Sequence, residues 1–224
     1  MTITSIEQAK KRMERVNIFL DNEFWVGLDK NQLIDLRIHK GLAISEQEKK
    51  SIEEASGFYK LIEKAVNFTI IRPRSKFEIY QYLTLKKEVE EETANKVTEY
   101  LEEKKFLSDD YFADWYIKTR TSIGFHGNNK IYAELLKKGI SKTIIKKYFA
   151  ENVQDNSEKI IKLYEKIQNQ IKAKSQIEKK YKIYQRILSR GFTFSEVDQA
   201  LKEHMKSLVI DPETMNIKSK NGKV

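Results

Sequence analysis

Ile79-Tyr80, Ile131-Tyr132 and Ile183-Tyr184 recur at a fixed spacing of 52 residues, and each pair is followed at the same offset by Leu83, Leu135 or Ile187. A period of this length is the mark of one small helical unit used three times. Such a unit cannot bury its own apolar face, so neighbours must stack to complete a core, and an elongated, curved body with grooved surfaces is expected. An Ile and a Leu four residues apart share one helical stripe, which assigns Ile79, Leu83, Ile131, Leu135, Ile183 and Ile187 to the repeat core. Tyr80, Tyr132 and Tyr184 fall at its edge, where a ring packs while its hydroxyl reaches water. Stacking on unpaired bases is the alternative use of these rings.

The composition agrees with a mainly α fold. Among 224 residues there are only 8 Gly and 2 Pro, too few for a loop-rich β protein. The absence of cysteine excludes a disulfide scaffold, thiolate catalysis and Cys-ligated zinc. No signal-peptide pattern or membrane-length apolar run is seen, so a cytoplasmic location and no membrane partner are expected. His39, His126 and His204 lie in separate segments, and neither a metal-ligand set, a catalytic triad nor a Gly-Lys-Ser/Thr phosphate loop occurs. The expectation is a protein without catalytic residues, metal or cofactor.

Val16 to Leu20 and Phe24 to Leu28 are β-rich runs joined by Asp21-Asn22, a pair that tolerates positive φ in a tight hairpin. Residues 1–56 therefore read as a small β-hairpin module with a short helix from Asn31 to His39 and Gly41 as its C′ residue. Helical patterning then divides the chain into three-helix repeats at 57–107, 108–153 and 154–210, followed by a flexible basic tail, 211–224. Ser45 with Glu48, Ser75 with Glu78, Asp155 with Glu158 and Thr193 with Glu196 have capping-box spacing, and Gly139 and Gly191 mark helix ends. The first helix of the third repeat reads as long and basic, through Lys174.

With these units in place, several segments can be compared with a known family. Arg72-Pro73-Arg74-Ser75 with Glu78 and Tyr82-Leu83, then Leu107-Ser108-Asp109-Asp110-Tyr111-Phe112-Ala113 with Tyr116 and Arg120, and finally Arg190-Gly191-Phe192 with Val197 and Ala200-Leu201, resemble the successive motifs of the RecX family. The resemblance extends over nearly the whole chain. It implies tandem three-helix units that bind the RecA recombinase filament on DNA and lower its ATP hydrolysis, strand exchange and stimulation of repressor self-cleavage. Three positions depart from the pattern. Glu88 stands where the later repeats have Gly139 and Gly191, Asn128 where a proline is common, and Asn22 where the hairpin usually has glycine. The first of these predicts a differently shaped helix end.

The net charge of +9 favours a polyanionic partner. Residues 1–56 carry 9 positive and 10 negative side chains, whereas 154–206 carry 12 and 7, so the surplus lies toward the third repeat. Arg72, Arg74 and Lys76, then Arg120, Lys130, Lys137 and Lys138, then Lys179, Lys180, Lys182, Arg186 and Arg190 are the candidates for one basic stripe across the repeats. Solvated helix faces are the competing reading. The expected partners are the recombinase filament and, more weakly and with salt sensitivity, single- and double-stranded DNA, met by a monomer. A DNA-binding module that acts by competing for single strands is the alternative.

Overall fold

Residues 1–10, 13–151 and 155–209 are described by a computed structural model; the tail assigned to 211–224 lies outside them. The chain is mainly helical, with ten helices and one small antiparallel sheet among the described residues. It divides into two compact units, one of Met1–Pro73 with Ile79–Leu107, the other of Arg74–Glu78 with the chain from Ser108 onward.

The N-terminal module holds one strand more than the hairpin. β1 (Ile3–Gln8) pairs with β2 (Arg15–Leu20), which pairs with β3 (Glu23–Asp29). The β2–β3 turn has Asp21 at φ 47° and Asn22 at φ 70°, the two positive values that a tight two-residue hairpin requires. Short α1 (Lys30–Asp35) begins in a capping box between Asp29 and Gln32 and ends at Leu36, before the expected His39. Gly41 is therefore not its C′ residue. At φ 85° it turns the chain back beside β1, and its N–H donates to the Ile3 carbonyl at 2.9 Å. Ile18 and Leu28 are fully buried in a cluster that reaches Ile52 of the next helix.

α2 (Glu46–Ile70) starts at the Ser45–Glu48 capping box and runs unbroken past residues 56 and 57. α3 (Lys76–Lys87) and α4 (Glu91–Glu103) follow. The second trio is α5 (Asp109–Ser122), capped by the Ser108 hydroxyl, α6 (Asn128–Lys137) and α7 (Lys142–Glu151). The third is α8 (Ser157–Gln168), α9 (Gln176–Leu188) and α10 (Phe194–Val209). Thus α8 stops well short of Lys174. Its N-cap is Asn156, and Asp155 accepts from the Ser157 N–H at 2.9 Å. Asn156, one residue later than the expected cap, makes no side-chain bond to the helix start; it is buried, with its amide donating to Glu196 at 2.8 Å.

Each trio closes its own apolar cluster. Ile79 and Leu83 lie with Ala94, Val97 and Leu101; Ile131 and Leu135 with Phe112 and Ile145; Ile183 and Ile187 with Ile160, Leu163 and Val197. Tyr80, Tyr132 and Tyr184 are half-buried at the margins of these clusters.

Within the second unit, consecutive middle helices meet end to end. At the start of α6 the N–H groups of Gly127 and Asn129 donate to the carbonyls of Arg190 (2.9 Å) and Gly191 (3.1 Å), which close α9. Helix ends leave donors at one terminus and acceptors at the other, and here each satisfies the other with favourable dipole alignment. A Cβ on Gly127 would lie 2.4 Å from the Gly191 carbonyl, and one on Gly191 would lie 2.4 Å from the Lys130 nitrogen, so both positions exclude a side chain. The start of α3 meets the end of α6 similarly, with the Ser75 hydroxyl donating to the Lys138 carbonyl at 2.7 Å and Phe77 covering Gly139. Glu88 adopts the left-handed conformation too (φ 54°), so the first repeat ends its middle helix as the others do, with an exposed non-glycine residue.

Candidate functional site

α9 is the most cationic middle helix. Ser175 caps its start by accepting from the Glu178 N–H. Ile183 and Ile187 turn one face inward, which leaves Ile177, Lys180, Tyr181, Lys182 and Arg186 exposed. Lys182 is held by Glu178 at 2.7 Å and donates to the Lys172 carbonyl at 3.1 Å. Lys180 stands 5.7 Å from the Tyr184 ring centre, and half-buried Lys179 lines a neighbouring cleft. Arg190 is half-buried at the helix end, beside the join with α6.

The second repeat uses its candidate cations differently. Arg120 grips Glu134 with two guanidinium nitrogens, Nε at 2.8 Å, and the Tyr116 hydroxyl donates to the same carboxylate at 2.9 Å. Burial raises the Glu134 carboxyl, but the hydrogen bonds from Arg120 and Tyr116, with the Arg120 charge, outweigh it and leave its pKa lowered. Burial and the bond to Glu134 push the Tyr116 phenol up to about 12. Lys138 pairs with Glu78 at 2.6 Å and lies 5.5 Å from the Tyr116 ring centre. Arg120 and Lys138 thus tie helices together, whereas Lys137 is exposed and Lys130 is half-buried against Gly191.

His126 sits beside this node. Its Nδ1 is buried without a hydrogen-bond partner among the described residues. Burial, then the charges of Arg120, Lys130 and Arg190, lower its pKa against a smaller opposing effect of Glu134. In the first repeat, Arg72 donates to the Pro73 carbonyl at 2.8 Å, and the Lys76 N–H donates to Asp109 at 2.9 Å. Arg72, Arg74 and Lys76 are all half-buried.

Ile177 and Tyr181, one turn apart on α9 and turned away from Ile183 and Ile187, form an exposed apolar pair beside the cations that helical spacing makes legible in the sequence. In the hairpin module, the indole of Trp25 is half-buried and donates to Glu53 at 2.7 Å, while Phe24 is 61% exposed and is the ring that the module offers to solvent. Among the described residues, no group of three or more His, Asp or Glu side chains forms a metal site, and no helix is long and apolar enough to cross a membrane.

Residues 1–45 match the model of the regulatory protein RecX N-terminal domain. Regulatory protein RecX of Listeria monocytogenes serotype 4a is 30% identical over 95% of this chain and 79% of its own length. The protein of the same description from Bacillus pumilus is 30% identical over 90% and 76%. A crystal structure of regulatory protein RecX superposes with a TM-score of 0.77 at 23% identity, covering 90% of this chain and 98% of that one. RecX from Lactobacillus salivarius gives a TM-score of 0.58 at 25% identity, over 66% of this chain and 97% of that one.

Proposed function

The chain belongs to the RecX family of regulatory proteins, and from that premise we propose that it modulates RecA by binding the recombinase filament on DNA and restraining its ATP hydrolysis, strand exchange and coprotease action. The observation that carries this reading is a match to curated relatives over 95% of the chain, joined to a helix whose exposed face is cationic. The role is regulatory and not catalytic, exercised by a monomer in the cytoplasm. The segments 57–107, 108–153 and 154–210 act as repeats that engage successive protomers, so that linkage adds affinity without new contacts and resists the conformational change of each ATP cycle. Exposed Lys180, Lys182 and Arg186, with Lys179 beside them, supply electrostatic docking, Lys137 adds to it, and Phe24 of the hairpin module supplies an apolar contact.

The test is a charge-reversed variant, Lys179→Glu with Lys180→Glu, Lys182→Glu and Arg186→Glu. Inhibition of recombinase ATP hydrolysis should vanish while circular dichroism stays unchanged. Full inhibition by the variant at ordinary salt removes α9 from the docking surface. Exposed Tyr181 among lysines favours a second reading, in which the protein competes for single strands. Measuring ATP hydrolysis with DNA saturating separates the two, because a competitor loses its effect and a filament binder retains it.

A further inference from the structure

α8, α9 and α10 enclose a cleft of about 410 Å³, within the range of small-ligand sites. Ile183 and Leu201 contribute apolar floor, and Tyr164 and Tyr184 contribute rings. Gln168 and Gln176 bring amides, each able to donate and accept, and Lys179 and Lys180 bring ammonium groups. No carboxylate lines it. The nearby acids are engaged elsewhere: Asp198 by Lys202 at 2.6 Å and by the Tyr184 hydroxyl at 3.2 Å, Glu178 by Lys182 at 2.7 Å. A cleft of about 490 Å³ between the sheet and α2 is, by contrast, of mixed charge, with Glu14, Asp29 and Glu63 beside Arg15 and Lys60, and Arg15 already pairs with Glu63 at 3.3 Å.

Flat rings, amides able to read a polar edge, and cations at the rim together match one ligand class. We propose that this cleft holds an unpaired nucleotide of single-stranded DNA, its base against the tyrosine rings and its flanking phosphates on Lys179 and Lys180. The Lys180 ammonium stands 5.7 Å from the centre of the Tyr184 ring. A base entering there displaces the cation from the ring face, and the freed ammonium meets the phosphate. The inference rests on the regulatory reading for its setting, the DNA of the filament, and adds to it a place where the strand itself is held.

The experiment omits the recombinase, so its outcome is independent of filament binding. Anisotropy of a labelled oligo-dT of about ten nucleotides, a length within the usual site sizes of single-strand binders, is compared with an abasic strand of equal length. The intact chain should bind oligo-dT roughly tenfold more tightly, the size expected of one stacked base. Tyr184→Leu should abolish that preference, while Lys179→Ala with Lys180→Ala should weaken both strands. Irradiation of an oligonucleotide carrying 5-iododeoxyuridine with the unaltered protein should crosslink peptides of α8 or α9, which decides the matter even where Tyr184→Leu fails to fold. Equal affinity for the two strands, or crosslinks confined to other helices, overturns the proposal. Loss of recombinase inhibition with the base preference intact would count against the regulatory reading alone.

Discussion

Gly191→Ala tests the end-to-end join between α9 and α6. A methyl group there would stand 2.4 Å from the Lys130 nitrogen and 2.5 Å from its Cβ, and the residue has φ 90°. A left-handed conformation costs an alanine about 1–2 kcal/mol, and forcing atoms into an occupied space costs a further 1–3 kcal/mol or so. Relief by separation of the helices would break the bonds from the Gly127 and Asn129 N–H groups, each contributing about 0.5–1.5 kcal/mol. The expected destabilisation is about 2–5 kcal/mol by either route, and for a chain of this length each kcal/mol moves the melting point by roughly 2–4 °C. Thermal unfolding followed by circular dichroism should show a drop of roughly 4–20 °C. Gly57→Ala is the control, since Gly57 lies inside α2 with open space around its missing Cβ. That change should stabilise by about 0.5–1 kcal/mol. An unchanged or raised melting point for Gly191→Ala would refute the account of the join.

Burial, which Glu134→Gln leaves in place, is the larger cause of the raised Tyr116 phenol, and the Glu134 bond and charge add to it, so a spectrophotometric titration, corrected with Tyr116→Phe, should show that group falling from about 12 but staying above the ordinary tyrosine range. His126 has a folded-state pKa below its ordinary 6.5, so the unfolded chain takes up its proton first. Its contribution leaves stability undiminished above pH 6.5 and reduces it as pH falls from about 6.5 through the folded value, and urea midpoints should decline over that window less steeply in His126→Gln. A steeper decline in the variant would contradict this sign. Phosphate-driven attachment predicts that single-strand affinity falls steeply between about 50 and 200 mM salt, and that Lys179→Ala with Lys180→Ala flattens the slope; a salt-independent affinity would oppose it.

Much of the helical architecture was legible because its signals are local. Ser45 and Thr193 cap their helices through side chains three residues from their glutamates, and a capping box needs no knowledge of the rest of the fold. β1 escaped because Ser5, Glu7 and Gln8 give its sequence little strand character, and β2, legible as a hairpin strand, does not show by itself that a third strand pairs along its other edge. The α1 boundary was misjudged because Gly41 is a strong local stop signal used for a turn beside β1. For the candidate cations, sequence lists positive charges but not their partners. Arg120 and Arg186 read alike as basic helix residues, yet the first is locked to Glu134 and the second is exposed. Gln168, Gln176 and Tyr164 are unremarkable until three helices gather them around one cleft.

The join between α6 and α9 is written in main-chain atoms. Peptide groups are common to every residue, so side chains along the outer faces of both helices are free to vary without loosening the assembly. Variation is stopped at Gly127 and Gly191, where the chains approach too closely for any side chain. Recognition and cohesion are thereby assigned to different atoms, and the surface of the third repeat can be retuned to a new partner while the scaffold beneath it stays as it was.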